Sequence, residues 1–121
     1  MVLTFVPFVP FVFKGFVTGV IMEINLEGLE ITNNESERRF EVRINGLLSK
    51  LDYLQDGGTF VITHVGVQPE FRGQGLAGKL TQAGLEYAKA RSLRVIPMCS
   101  YAAAYIRRHP QYAELTKYQG N

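Results

Sequence analysis

The chain has 121 residues, of which 46% are hydrophobic and 20% charged, and its formal net charge is +2. That length suits one domain burying about two thirds of its unfolded surface. So mild an excess of base, with no clustered stripe, argues against a nucleic-acid footprint. One cysteine excludes an intramolecular disulfide and a cysteine-rich zinc site. No metal is expected, because His64 and His109 lack ligand spacing.

Residues 1–21 are an apolar N-terminal extension. Five of the eight phenylalanines fall between Met1 and Phe16, and Pro7 and Pro10 interrupt the run. A membrane-spanning helix needs about 20 mostly apolar residues. The two prolines and Lys14 argue against one, so no membrane partner is expected. No basic leader or small-residue cleavage site marks a signal peptide. The repeated Phe-Val-Pro reads as extended chain. The reading that fits best is that translation starts at Met22, with one domain over residues 22–121; a membrane-tethering segment is the alternative.

Arg39 to Ile44 alternates as a strand, with Phe40, Val42 and Ile44 on the buried face. Asn45-Gly46 is a two-residue hairpin signal. Leu48 to Gln55 is the partner strand, with Leu51 and Tyr53 sharing a face. Asp56-Gly57-Gly58 turns into Thr59 to Val67, the longest apolar run in this part of the chain and the expected central strand. An antiparallel meander of three strands results.

Gln68-Pro69-Glu70-Phe71 ends that strand, since a proline cannot continue a central one. Arg72-Gly73-Gln74-Gly75-Leu76-Ala77 then leads into a helix over Gln74 to Arg91, with Leu76, Leu80, Ala83 and Tyr87 as its buried stripe. A glycine-rich turn between strand and helix lets backbone N–H groups approach an anion, with the helix dipole behind them. Arg72 adds a cation at the rim. The same run also reads as a plain tight turn, since it lacks the third glycine of a dinucleotide fingerprint and the Gly-Lys-Ser/Thr of a P-loop. Leu93 to Met98 is a fourth strand, paired in parallel through a right-handed crossover. A short helix from Ser100 to Arg108 follows, with Ser100 as N-cap and Pro110 behind its end. Beyond Leu115 the chain is polar.

Val67 through Ala77 resembles the acetyl-CoA pyrophosphate loop of the GNAT superfamily of N-acetyltransferases. Its core signature is Gln/Arg-x-x-Gly-x-Gly/Ala, and Arg72, Gly75 and Ala77 fill the three fixed positions. His64, this loop, Pro97-Met98-Cys99-Ser100-Tyr101 and the segment from Tyr105 to Tyr112 are similar, in order, to the small, cysteine-containing branch of that superfamily. The match runs from about Arg38 to Leu115. It implies an α+β minimal GNAT fold, with a splayed parallel pair of strands between which acetyl-CoA lies. It implies acetyl-CoA as co-substrate and transfer to an amine, with Val67, Arg72, Gly73, Gln74, Gly75, Leu76 and Ala77 holding the coenzyme. Relatives usually carry His-Thr-Glu-Val on the strand before the loop; here the acidic position is Gly66.

The catalytic candidates are Cys99, His64 and Tyr101. A thiolate at a helix N-terminus is reactive and could take the acetyl group; Cys99 equally reads as a small buried hydrophobe. Imidazole titrates near neutrality, so His64 could serve as base or pair with Cys99, or be a satisfied core histidine. Strand alternation puts it on the face of Ile62 and Gly66. Tyr101, four residues from Tyr105, could protonate the leaving thiolate or simply pack. A lone thiol suits the cytoplasm. Two rival readings stay open: a non-catalytic CoA-binding module on the same fold, and an interaction domain whose glycine loop is only a turn. The acceptor amine and the oligomeric state leave no mark in the sequence.

Overall fold

A computed structural model describes residues 22–117, so the expectation of an extension and a start at Met22 lies outside the described residues. The order is a 3-10 turn at Leu26–Gly28, strands β1 (Thr32–Asn34), β2 (Arg39–Ile44), β3 (Leu47–Asp56) and β4 (Thr59–Gly66), then helix α1 (Leu76–Ala90). Strand β5 (Arg94–Pro97), helix α2 (Ser100–Arg108) and a 3-10 segment, Pro110–Thr116, complete it. The architecture is α+β. The five strands stand in sequence order, with β1 to β4 antiparallel and β5 parallel to β4.

The alternation in β2 and β3 does what it predicts. Phe40, Val42, Leu51 and Tyr53 are buried, and Phe60 and Ile62 of β4 join them. Asn45 and Gly46 take φ values of 53° and 78°, the left-handed pair that a tight hairpin requires. The meander has one strand more than expected. β1 is only three residues long and polar, Thr-Asn-Asn, so no period could announce it; it exists because β2 offers it a free edge.

α1 lies across the core side of the sheet, and its buried face is Leu76, Leu80, Thr81, Gly84, Leu85 and Ala88. The expected stripe holds in its first half. Ala83 and Tyr87 stand at its margin, half-buried, because the true stripe drifts toward positions 81, 85 and 88. Gly84 faces the sheet: a Cβ there would meet Leu51 Cδ1 at 3.4 Å and Phe60 Cε2 at 3.6 Å, ordinary contact distances. Near it Tyr53 and Phe60 pack tilted at 30° with centroids 4.7 Å apart, and Tyr87 meets Phe40 edge-on at 5.4 Å.

α2 is where the sequence placed it, but its N-cap is Cys99. Ser100 is already helical, and no side chain caps the first turn. Past Pro110 the chain turns into a 3-10 segment whose Tyr112 is 2% exposed and donates to Glu86 Oε2 at 2.7 Å. Burial, and then that carboxylate, push its phenol up to about 12.

Candidate active site

β4 and β5 pair only from Thr59 opposite Arg94 to Ile62 opposite Pro97. The Ile62 carbonyl then accepts two N–H groups, from Met98 at 3.0 Å and Cys99 at 3.2 Å, as the chain leaves the sheet for α2. β4 runs on without β5 over Thr63–Gly66, leaving about 13 Å of that strand edge open at a rise of about 3.3 Å per residue. The strands therefore part where the sequence reading expected a splayed pair. One residue further, the Val67 N–H donates to no acceptor among the described residues.

The glycine loop follows. Gly73 and Gly75 have φ of 79° and 88°, the left-handed conformation that only glycine enters freely. Gly75 is the N-cap of α1 and offers no side chain to it. The first backbone bond of the helix is Lys79 N–H to the Gly75 carbonyl. Before it, the N–H groups of Gly73, Gln74, Gly75, Leu76, Ala77 and Gly78 donate to nothing among the described residues. Six consecutive free donors at the positive end of a 15-residue helix make a cradle for an anion. A Cβ at Gly73 would find nothing within 4 Å, so the space before the loop is open. Arg72 is exposed at its rim and makes no ion pair among the described residues. These features fit a pyrophosphate.

The side chains of the loop divide their work. Leu76 is a core residue, 1% exposed, and offers the ligand only its backbone. Gln74 turns away from the cradle: its amide accepts the Ile24 N–H at 3.0 Å and donates to the Met22 carbonyl. Nothing in the sequence separated Gln74's side chain from its backbone role, because the segment it clamps lies 50 residues earlier.

His64 and Cys99 stand differently from the reading by alternation. Asp52 opposes His64 and Tyr53 opposes Ile62, so Thr63 is an extra residue, a β-bulge. Its hydroxyl donates to the Asp52 carbonyl at 3.2 Å. The bulge inverts the alternation. Val65 and Val67 pack against the core, while His64 joins Asp52 on the opposite face, exposed. His64 and Gly66 do share a face, as expected, but Ile62 does not. Cys99 is half-buried and packs against the core cluster, on the helix side of the sheet. The two are not joined: neither side chain makes a hydrogen bond among the described residues.

Tyr101 is half-buried, its ring 6.3 Å from that of Tyr105. Its hydroxyl lies 3.6 Å from where a Cβ on Gly78 would be, against the first turn of α1. Tyr105 is buried, stacks on His109 at 3.9 Å, and has its phenol pushed up by burial and by Tyr101. No group of three or more metal-ligating side chains occurs among the described residues, and none of their helices is long and apolar enough to cross a membrane.

Comparison with known proteins converges on one family. The profile of GCN5-related N-acetyl-transferases matches residues 39–115. Protein NATD1 of Homo sapiens is 29% identical over 91 residues, covering 71% of this chain and 80% of that protein. Protein NATD1 of Xenopus tropicalis is 28% identical over 91 residues, covering 71% and 84%. Among solved structures, a GCN5-like candidate N-acetyltransferase from Staphylococcus aureus superposes with a TM-score of 0.59 at 31% identity, covering 72% of this chain and 86% of its own.

Proposed function

The chain belongs to the GCN5-related N-acetyltransferase family, and from that premise we propose that it is an acetyl-CoA-dependent N-acetyltransferase that passes the acetyl group directly to an amine. The observation that carries the reading is the run of free N–H groups from Gly73 to Gly78 beside the parted ends of β4 and β5. The loop backbone, with Arg72 at the rim, holds the pyrophosphate; the open edge of β4 receives the pantetheine arm as an added strand would. The co-substrate supplies an activated thioester.

The chain's own groups do the rest. The Val67 N–H donates to the acetyl carbonyl oxygen as charge develops there. His64, exposed on the face away from the helices, takes the proton that the acceptor amine sheds as its nitrogen bonds to the acetyl carbon. Tyr101, whose hydroxyl has no hydrogen-bond partner among the described residues, gives a proton to the sulfur as the carbon–sulfur bond breaks. Direct transfer is favoured over an acetyl-Cys99 route because no base stands against the thiol: His64 lies on the other face.

Calorimetry of the full chain with acetyl-CoA, followed by CoA release with a set of amines and intact mass, tests this. Binding, release and no +42 Da adduct, the mass of one acetyl group on a nucleophile, are expected. An adduct on Cys99 that discharges to amine would replace direct transfer with the covalent route. Binding without release to any amine would leave a CoA-binding module, and no binding would reduce the loop to a turn.

A further inference from the structure

The family resemblance implies an acidic residue where this chain has Gly66, and in the structure the His64 ring lies beside that position. His64 and Gly66 lie two residues apart on one face beyond the bulge. A Cβ at position 66 would stand 3.0 Å from His64 Nε2 and 3.4 Å from its Cδ2. The imidazole thus lies along the strand in the space that a side chain at 66 would claim. A residue larger than glycine at 66 makes the ring give way by a few tenths of an ångström. Gly66 has no positive φ, so the backbone does not require glycine at this point. What a side chain at 66 would meet is the imidazole.

Resting on the acetyltransferase reading, we propose that Gly66 is a positioning residue: its missing side chain draws the His64 imidazole toward the open end of β4, so that the proton acceptor is carried from position 64. The charged groups facing the ring are Asp52, directly opposite on β3, and Lys50, opposite Gly66; their side chains bind each other at 2.9 Å. Between Pro97 and Tyr101 the β5 side brings only Met98, Cys99 and Ser100, none of them a fixed charge. Asp52 is held by Lys50, which leaves the imidazole as the group that moves the amine's proton.

The test compares wild type, Gly66→Ala, His64→Ala and the double variant in the full chain. Acetyl-CoA affinity is read by calorimetry, and the pH dependence of CoA release is read with spermidine and with an unblocked lysine peptide. His64 is exposed and free to swing, so Gly66→Ala folds. It is expected to lower kcat about threefold to tenfold, less than the roughly hundredfold of a full ångström's displacement because the ring shifts by only a few tenths of one, with affinity unchanged. His64→Ala removes the acidic limb of the pH profile. The double variant is no worse than His64→Ala, because both substitutions disable one group. Additive losses, or an unaltered rate in Gly66→Ala, would overturn the proposal. A second readout needs no turnover: the nuclear Overhauser contact between the His64 ring proton Hδ2 and the Gly66 Hα protons. It is expected in wild type, and its absence there overturns the positioning by itself. Failure of wild type to bind acetyl-CoA overturns the transferase reading instead, with that contact still deciding where the ring lies.

Discussion

Single residues here act through what they leave out as much as through what they carry. Gly73 leaves out a Cβ that would project into the open space before the loop, and its φ of 79° would strain any replacement. Gly73→Ala is expected to cost about 1–2 kcal/mol of stability and to weaken acetyl-CoA binding about tenfold, read by calorimetry on protein shown to be folded. Cys99 contributes packing beside the parted strands; Cys99→Ala should keep transfer within about threefold of wild type, since catalytic contributions of an order of magnitude or more belong to groups that handle the proton. Tyr112 shows the reverse case, a polar atom whose partner matters. Its phenol is raised from 10.0 to about 12, by burial first and Glu86 second. A folded-state value above the unfolded one means that this stability is complete below pH 10 and is lost as pH rises toward 12. Tyr112→Phe should cost about 1 kcal/mol near neutrality and flatten that part of the alkaline limb. Urea unfolding at pH 7 and at points between pH 10 and 12 checks both.

At the level of elements, the site is made by endings. β5 stops at Pro97 while β4 continues to Gly66, and that inequality leaves the β4 edge open. The helix that follows the loop meets the sheet at Gly84, over Leu51 and Phe60. Alanine at 84 meets contacts of 3.4–3.6 Å and gains up to about 1 kcal/mol in helix propensity, so Gly84→Ala should be near neutral. Gly84→Leu has no room and should cost about 2–3 kcal/mol, by overpacking. Chemical denaturation of the two variants separates propensity from packing. The strands, the hairpin and α1 were legible because each is written in a local period or turn. The bulge at Thr63 was not: whether a strand inserts an extra residue depends on the register its neighbour imposes, here Asp52 against His64 and Tyr53 against Ile62.

Across the whole molecule, the segment from Met22 onward is tied to the glycine loop, which lies 50 residues further on. The Met22 N–H donates to the Glu70 carbonyl, the Gln74 amide clasps Met22 and Ile24, and Leu26 lies 3.1 Å from a Cβ placed on Gly75. Gln74→Ala should release this strap at a cost of about 1–2 kcal/mol for two hydrogen bonds, and limited proteolysis should cut before Ile31 faster than in wild type. The loop's free N–H groups, which are backbone, should persist, so acetyl-CoA should still bind the variant. By itself the sequence determined the α+β class, the order of the main strands and helices, the glycine loop and the family, because these are set by hydrophobic periods, turn residues and a motif contiguous along the chain. Only the tertiary structure decided that β1 exists and that the Gln74 side chain serves the strap. It alone put His64 and Cys99 on opposite faces of the sheet. Each of those depends on which residues stand opposite across strands far apart in sequence, and one extra residue in β4 is enough to turn a side chain from the core to the open face.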